Sequence, residues 1–255
     1  MKTTIREKLK ITPEKPMLIE GLPGLGMVGR IATRYLVKKL KAERFALLYS
    51  PHFPYYVVVN KKGNVRLLRG EFHYWKNPKG NDLILFTGDS QAQTIEGQYE
   101  IAEAILDFAK EHKVETIITL GGYRKEAEDM PKVIATSTDE QILNKALKAD
   151  ASPSPPGNPI VGTAGLLVGM SKFKAISALC LLGETRGYLP DPRAAKSILL
   201  VLQKMLDITF DLDDLDKEIV KSDKILEKMR QIEARRETYA KKMRKSEEGK
   251  TTYIS

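Results

Sequence analysis

Short apolar runs alternate with segments of helical period along the first 206 residues. Met17–Glu20, Phe45–Tyr49, Leu83–Thr87, Thr116–Leu120, Val133–Thr136 and Ala175–Leu182 read as strands with little polar alternation. Such strands must be buried on both faces, and a parallel sheet achieves this by returning the chain through a helix. Val28, Ile31, Ala32, Tyr35, Leu36 and Leu40 fall at helical spacing between Val28 and Lys41. Further helices are predicted over Thr94–His112, over Asp139–Leu147 with Asp139 as the cap, and from Pro192 to Leu206. Tyr55–Val59, Val65–Leu68 and Glu71–Trp75 are short β-rich runs, the first two separated by the turn Asn60–Asn64, and predict antiparallel strands. The expected fold is α/β: a layered α/β/α sandwich with a largely parallel core sheet, added antiparallel strands and a long C-terminal helical extension.

The expected organisation has four parts. Residues 1–12 are polar and expected to be mobile, and 13–209 form the α/β core. Residues 210–248 form a charged helical extension, and 249–255 a flexible tail. The proline-rich stretch Ser152–Pro159 reads as a surface loop without regular structure, because alternation resumes after it. Ile160–Val161 and the Gly162–Gly169 segment follow it. Ile219, Leu226, Met229, Ile232, Tyr239 and Met243 give the extension a broken apolar stripe suited to a partner helix.

The net charge of +9 invites a nucleic-acid reading. Its distribution argues against one. Residues 214–255 hold 12 Lys/Arg against 9 Asp/Glu, a mixed-charge helical face, and the remaining excess is diffuse. No zinc finger or RNP-like motif accompanies it. The single cysteine, Cys180, lies in an apolar run and reads as an inert core thiol. One cysteine and three scattered histidines exclude a disulfide framework and a multi-Cys metal site. Neither a membrane-spanning run nor a signal peptide is apparent, so a cytoplasmic protein is expected. Asn and Gln number only 12 while charged residues make up 29%, the bias of a thermophile chain.

Gly24-Leu25-Gly26-Met27-Val28-Gly29 matches G-x-G-x-x-G between a strand and a helix, where a pyrophosphate could sit. The acidic residue expected about 20 positions on is missing, since the second strand ends Leu48-Tyr49-Ser50-Pro51. A structural tight turn is the favoured reading. Gly88-Asp89-Ser90-Gln91 reads as a helix start capped by Asp89 or Ser90, with a ligand loop as the alternative. Gly121-Gly122-Tyr123 carries the same ambiguity at another strand end. His52 has no identifiable acid partner in the sequence. No catalytic constellation converges.

Five motifs in one order carry a resemblance: GLPGLGMVGRIA at 21–32, GDSQ at 88–91, TLGGY at 119–123, GTAGLLVG at 162–169 and LPDPRAAKSILLVL at 189–202. Together they closely resemble the proteasome assembly chaperone family in its archaeal form, over roughly residues 13–206. The resemblance implies a non-enzymatic, ATP-independent protein without a cofactor, and a sandwich similar to that of nucleoside phosphorylases. It implies association with itself, a paralogue or proteasome α-subunits, and makes the Gly24–Gly29 turn a fold element. The alternative is a nucleotide or small-molecule binding enzyme using Gly24–Gly29 and the strand-end loops. Some proteasome chaperones and activators end in hydrophobic–Tyr–any residue. This sequence ends Thr252-Tyr253-Ile254-Ser255, which departs from that pattern because Tyr253 is third from the end. The expected partner contacts are Tyr239, Met243, Tyr253, Ile254 and Ser255.

Overall fold

The computed structural model describes residues 2–125 and 130–248, with backbone alone for 229, 230, 233–235 and 237–248. In chain order, β1 (Thr4–Glu7), β2 (Met17–Gly21), α1 (Val28–Lys39) and β3 (Glu43–Tyr49) come first. They are followed by β4 (Val57–Val59), β5 (Val65–Leu67), β6 (Gly70–Trp75), β7 (Leu83–Gly88) and α2 (Ile95–Glu111). Next come β8 (Thr116–Arg124), β9 (Val133–Ser137), α3 (Glu140–Lys148) and β10 (Ser152–Pro153). The last elements are α4 (Thr163–Ser171), β11 (Ser177–Thr185), α5 (Pro192–Leu206) and α6 (Asp213–Glu248).

Among the described residues nine strands form one sheet in the order β1-β3-β6-β7-β2-β8-β11-β9-β10. Its centre, β7-β2-β8-β11, is parallel. These are the strands whose apolar runs lack alternation, and their middles are buried throughout. β6, β3 and β1 extend one side in antiparallel fashion. On the other side β9 runs antiparallel to β11. Helices α1 and α5 pack together on one face, and α2 and α4 on the other. One extensive apolar cluster lies under α2 and α4, where Phe72 packs between Phe86 and Phe108 at centroid distances of 4.4 and 4.5 Å.

Helix caps follow the sequence rules. Asp139 accepts from the N–H groups of Gln141 and Ile142, as its position predicts. Thr94 accepts from Gly97 N and caps α2. Asp191 accepts from Ala194 N ahead of Pro192 in the first turn of α5.

Three segments differ from expectation. The polar start carries edge strand β1, whose Ile5 packs against the core. Ser152 and Pro153 pair with Ile134 and Ala135 at the sheet margin, a position open to proline because an outer N–H needs no partner there. The Gly162–Gly169 segment forms α4, a helix with no polar face for periodicity to reveal.

The structure forms two units, the first ending at Leu212 and the second starting at Asp213. In the second unit α6 covers 36 residues, about 54 Å at the helical rise. Asp213, Asp214 and Asp216 in its first turn complement the positive end of its dipole.

Candidate functional site

The carboxyl ends of the central parallel strands are where an open α/β sheet places its ligand crevice. The loops after β2, β7 and β11 meet there. The Gly24–Gly29 turn uses its glycines for packing. Gly26 sits at φ +59°, in the left-handed region. A Cβ on Gly29 would lie 2.1 Å from the Leu120 carbonyl oxygen, so α1 rests directly on β8. Leu25 folds back over this edge, leaving no room for a side chain at Gly122 or Gly187. Gln91 closes the crevice from the other side. Its amide nitrogen donates to the Pro23 carbonyl at 2.7 Å, and its oxygen accepts from Thr163 N at 3.1 Å. Thr163 Oγ1 then donates to Gln98 Oε1 at 2.8 Å. Asp191 N donates to the Gly26 carbonyl, and Thr185 Oγ1 donates to the Asp191 carboxylate at 2.7 Å. The Gly24–Gly29 turn thus meets the Gly88–Gln91 loop through Gln91 and the Gly122 backbone through Leu25, so all three candidate segments come together at this edge.

The third loop differs from expectation. β8 runs on to Arg124, so Gly121 and Gly122 lie within a strand and pair with Leu182 and Gly183. Asp89 and Ser90 are not the cap of α2, because Thr94 holds that role. Asp89 accepts instead from Arg66 at 2.5 and 3.0 Å and from Arg69 N at 3.1 Å. Burial alone would raise its carboxyl, but the Arg66 pair and the Arg69 N–H outweigh burial and hold it below the usual range.

Beneath the crevice the sheet carries a buried polar row in register, Glu20 on β2, Thr119 on β8 and Cys180 on β11. Glu20 Oε1 accepts from Leu22 N at 3.0 Å, while Oε2 has no partner among the described residues. Burial pushes this carboxyl up to about 8, against a small downward pull from the Leu22 N–H. Burial likewise pushes the Cys180 thiol up to about 12, consistent with an inert core thiol.

His52 does have an acid partner. Its Nε2 lies 3.1 Å from Glu100 Oε2, and its Nδ1 lies 3.2 Å from Thr94 Oγ1. The hydroxyl–imidazole–carboxylate order resembles a nucleophile relay. Thr94 Oγ1 is already engaged as the helix cap, and Glu100 Oε1 accepts from Thr3 N at 2.8 Å, so the cluster ties β1 and the 50–56 loop to α2. Among the described residues no group of three or more His, Cys, Asp or Glu could hold a metal ion.

Sequence reasoning missed one solvent-facing apolar surface among the described residues. β4 and β5 form a two-stranded ribbon outside the main sheet, with Val57 opposite Leu67 and Val59 opposite Val65. All four of these side chains are exposed, as are Tyr55 and Tyr56 just before them. Val58 and Arg66, on the opposite face, turn inward to the core and to Asp89. A cleft of about 600 Å³ beside the ribbon is lined by Tyr49, Phe53, Tyr55, Tyr56 and Leu67 among others. The available signal was Tyr-Tyr-Val-Val-Val, an apolar run with no polar alternation in a strand too short to be central.

Of the expected partner contacts, Tyr239 and Met243 fall on the backbone of α6, with side chains outside the described residues. Tyr253, Ile254 and Ser255 also lie outside the described residues.

The profile of the PAC2 family matches residues 18–230. The uncharacterized protein MJ1210 of Methanocaldococcus jannaschii is 35% identical over 236 residues, covering 91% of this chain and 90% of that one. Among solved structures, Pyrococcus furiosus PbaB, described as an archaeal proteasome activator, superposes with a TM-score of 0.85 at 38% identity, covering 90% of this chain and 99% of PbaB. Pyrococcus furiosus PbaA, described as an archaeal homolog of proteasome-assembly chaperone, superposes at 0.73 with 26% identity, covering 97% of this chain and 99% of PbaA. With a profile match across most of its length, the chain belongs to the PAC2 family and is a homologue of the archaeal members of the proteasome assembly chaperone family.

Proposed function

We propose that this protein is a non-enzymatic, ATP-independent assembly chaperone or adaptor that works as a homo-oligomer through protein–protein contacts. Its partners are proteasome α-subunits or a paralogue. The observation that carries this reading is the similarity to PbaB and PbaA across nearly the whole chain, together with the PAC2 family match over residues 18–230. The exposed Tyr and Val surface of the ribbon supports it, since aromatic and aliphatic surface of this kind serves protein contact. PbaB as a proteasome activator and PbaA as a homolog of proteasome-assembly chaperone point to proteasome assembly or activation. No helix among the described residues is long and apolar enough to cross a membrane, and a cytoplasmic protein of a thermophile fits the composition.

In this reading α6 and the residues after it present the partner surface, with Tyr239, Met243, Tyr253, Ile254 and Ser255 as contacts. The extension begins near residue 210. Co-purification of proteasome subunits with the full chain and with a chain ending at residue 209 tests this. Loss of capture on truncation is expected, and unchanged capture overturns the tail's role. Equilibrium dialysis against common nucleotides tests the enzyme alternative. Uniform failure to bind is expected, and saturable binding overturns the non-enzymatic reading.

A further inference from the structure

We infer that the outer face of the β4–β5 ribbon is the surface through which two copies of this chain meet. The inference rests on the homo-oligomer reading and adds its location.

The ribbon inverts the usual pattern. In a strand pair packed on a core, the apolar residues face inward and the polar ones face water. Here the cross-strand pairs Val57–Leu67 and Val59–Val65 face outward, while the inner face carries Val58 and Arg66. Arg66 cannot turn out, because the Asp89 carboxylate holds its guanidinium by two hydrogen bonds. Tyr55 is fully exposed and adds its ring to the same end of the ribbon. One fully exposed and one partly exposed tyrosine, at roughly 150–250 Å² for a whole aromatic side chain, with four aliphatic side chains about half exposed beside them, offer on the order of 600 Å² of apolar surface. That is most of the ~800 Å² each partner contributes to a stable complex. It also stands at the top of the range for the largest patch on a monomer, about 300–600 Å².

The occupant follows from the charge pattern. The face itself carries no charge, and Lys61 and Lys62 sit at the turn beyond it. Arg66 behind it is neutralised by Asp89. A partner recognised by complementary charge would need ions within the contact. A neutral aliphatic face selects another of its kind, and a second copy always carries one. Two identical faces meeting about a two-fold axis bury each residue against its counterpart region, the self-complementary arrangement of an isologous contact. The stack has the ~10 Å spacing of sheets packed face to face.

The test uses the full chain. Native mass is measured for the unaltered protein and for Val59→Glu with Leu67→Glu. All four ribbon-face residues are already exposed, so the double variant is expected to keep its melting temperature while its native mass falls. As a second measurement, Val59→Cys adds an accessible thiol to a chain whose one cysteine is buried. Mild oxidation is expected to give a covalent dimer, whereas Lys113→Cys on the loop after α2 gives none. An unaltered protein that is monomeric at every concentration overturns the homo-oligomer reading itself. An oligomer that survives the double variant, with no dimer from Val59→Cys, overturns the ribbon proposal and leaves that reading standing.

Discussion

Arg66 on β5 holds both carboxylate oxygens of Asp89, at 2.5 and 3.0 Å, and is the one side-chain anchor between the ribbon's inner face and the end of β7 seen among the described residues. A ribbon with three residues per strand has little stability of its own. Arg66→Ala is therefore expected to raise amide exchange across 57–67 selectively, leaving β2 and β8 protected. Because the pair is partly solvated, the global cost is modest, about 1–2 kcal/mol. The Asp89 carboxyl is held below its ordinary 3.8, so the pair contributes above that pH and is lost as pH falls through the lower folded value. Uniform exchange changes across the sheet would contradict this account.

The glycine turn separates a packing role from a ligand role by substitution. A Cβ on Gly29 meets the Leu120 carbonyl oxygen at 2.1 Å, whereas one on Gly24 meets Gln91 Nε2 at 3.6 Å, an ordinary contact. Gly29→Ala is expected to cost about 3 kcal/mol or more, since backbone must move. Gly24→Ala is expected to change stability by less than about 1 kcal/mol. Chemical denaturation of both variants decides the matter, and equal effects would show that the turn is not constrained as described.

Much of the architecture was legible because it rests on local rules. Pro192–Leu206, the Asp139 cap and the strand at Leu83 follow from period, cap chemistry and apolar runs, which act within a few residues. The crevice was not legible for the opposite reason. Gln91 reaches Pro23 and Thr163, 68 and 72 residues away, and no local pattern marks a glutamine for that role. Asp89 looked like a cap because Asp before a helix usually is one. Its true partners are the Arg66 side chain, on the ribbon, and the Arg69 N–H, between the ribbon and β6. The α4 helix escaped because Leu, Val and Gly surround it evenly.

Gly97 on α2 is the seat of His52. A Cβ there would lie 2.3 Å from His52 Cβ, so Gly97→Ala should displace the 50–56 loop and its contact with Glu100. The Thr3 hydroxyl and N–H, with the His52 contact, hold the Glu100 carboxyl down at about 2. Loss of the cluster should therefore free β1 first. Proteolysis near residue 10 is expected to accelerate in Gly97→Ala and in Glu100→Gln, while α5 stays protected. An unchanged cleavage rate in both would show that β1 is held by its pairing with β3 alone.

Glu20 makes stability depend on pH in the direction opposite to a salt-bridged acid. Between its ordinary value of 4.5 and about 8, the folded chain keeps a proton that the unfolded chain has released. Folding takes up a proton across that window, so stability falls as pH rises from 4.5 and levels off above about 8. The full swing is bounded near about 5 kcal/mol by the size of the shift. Glu20→Gln keeps the shape of the neutral acid and an oxygen for Leu22 N, but cannot ionise. At pH 5 the variant is expected to lie within about 1 kcal/mol of the parent, the cost of an extra buried N–H. At pH 9 it is expected to be the more stable of the two by several kcal/mol. Denaturant midpoints at pH 5, 7 and 9 measure the difference directly. Parallel curves for the two proteins would mean that Glu20 is ionised within the fold.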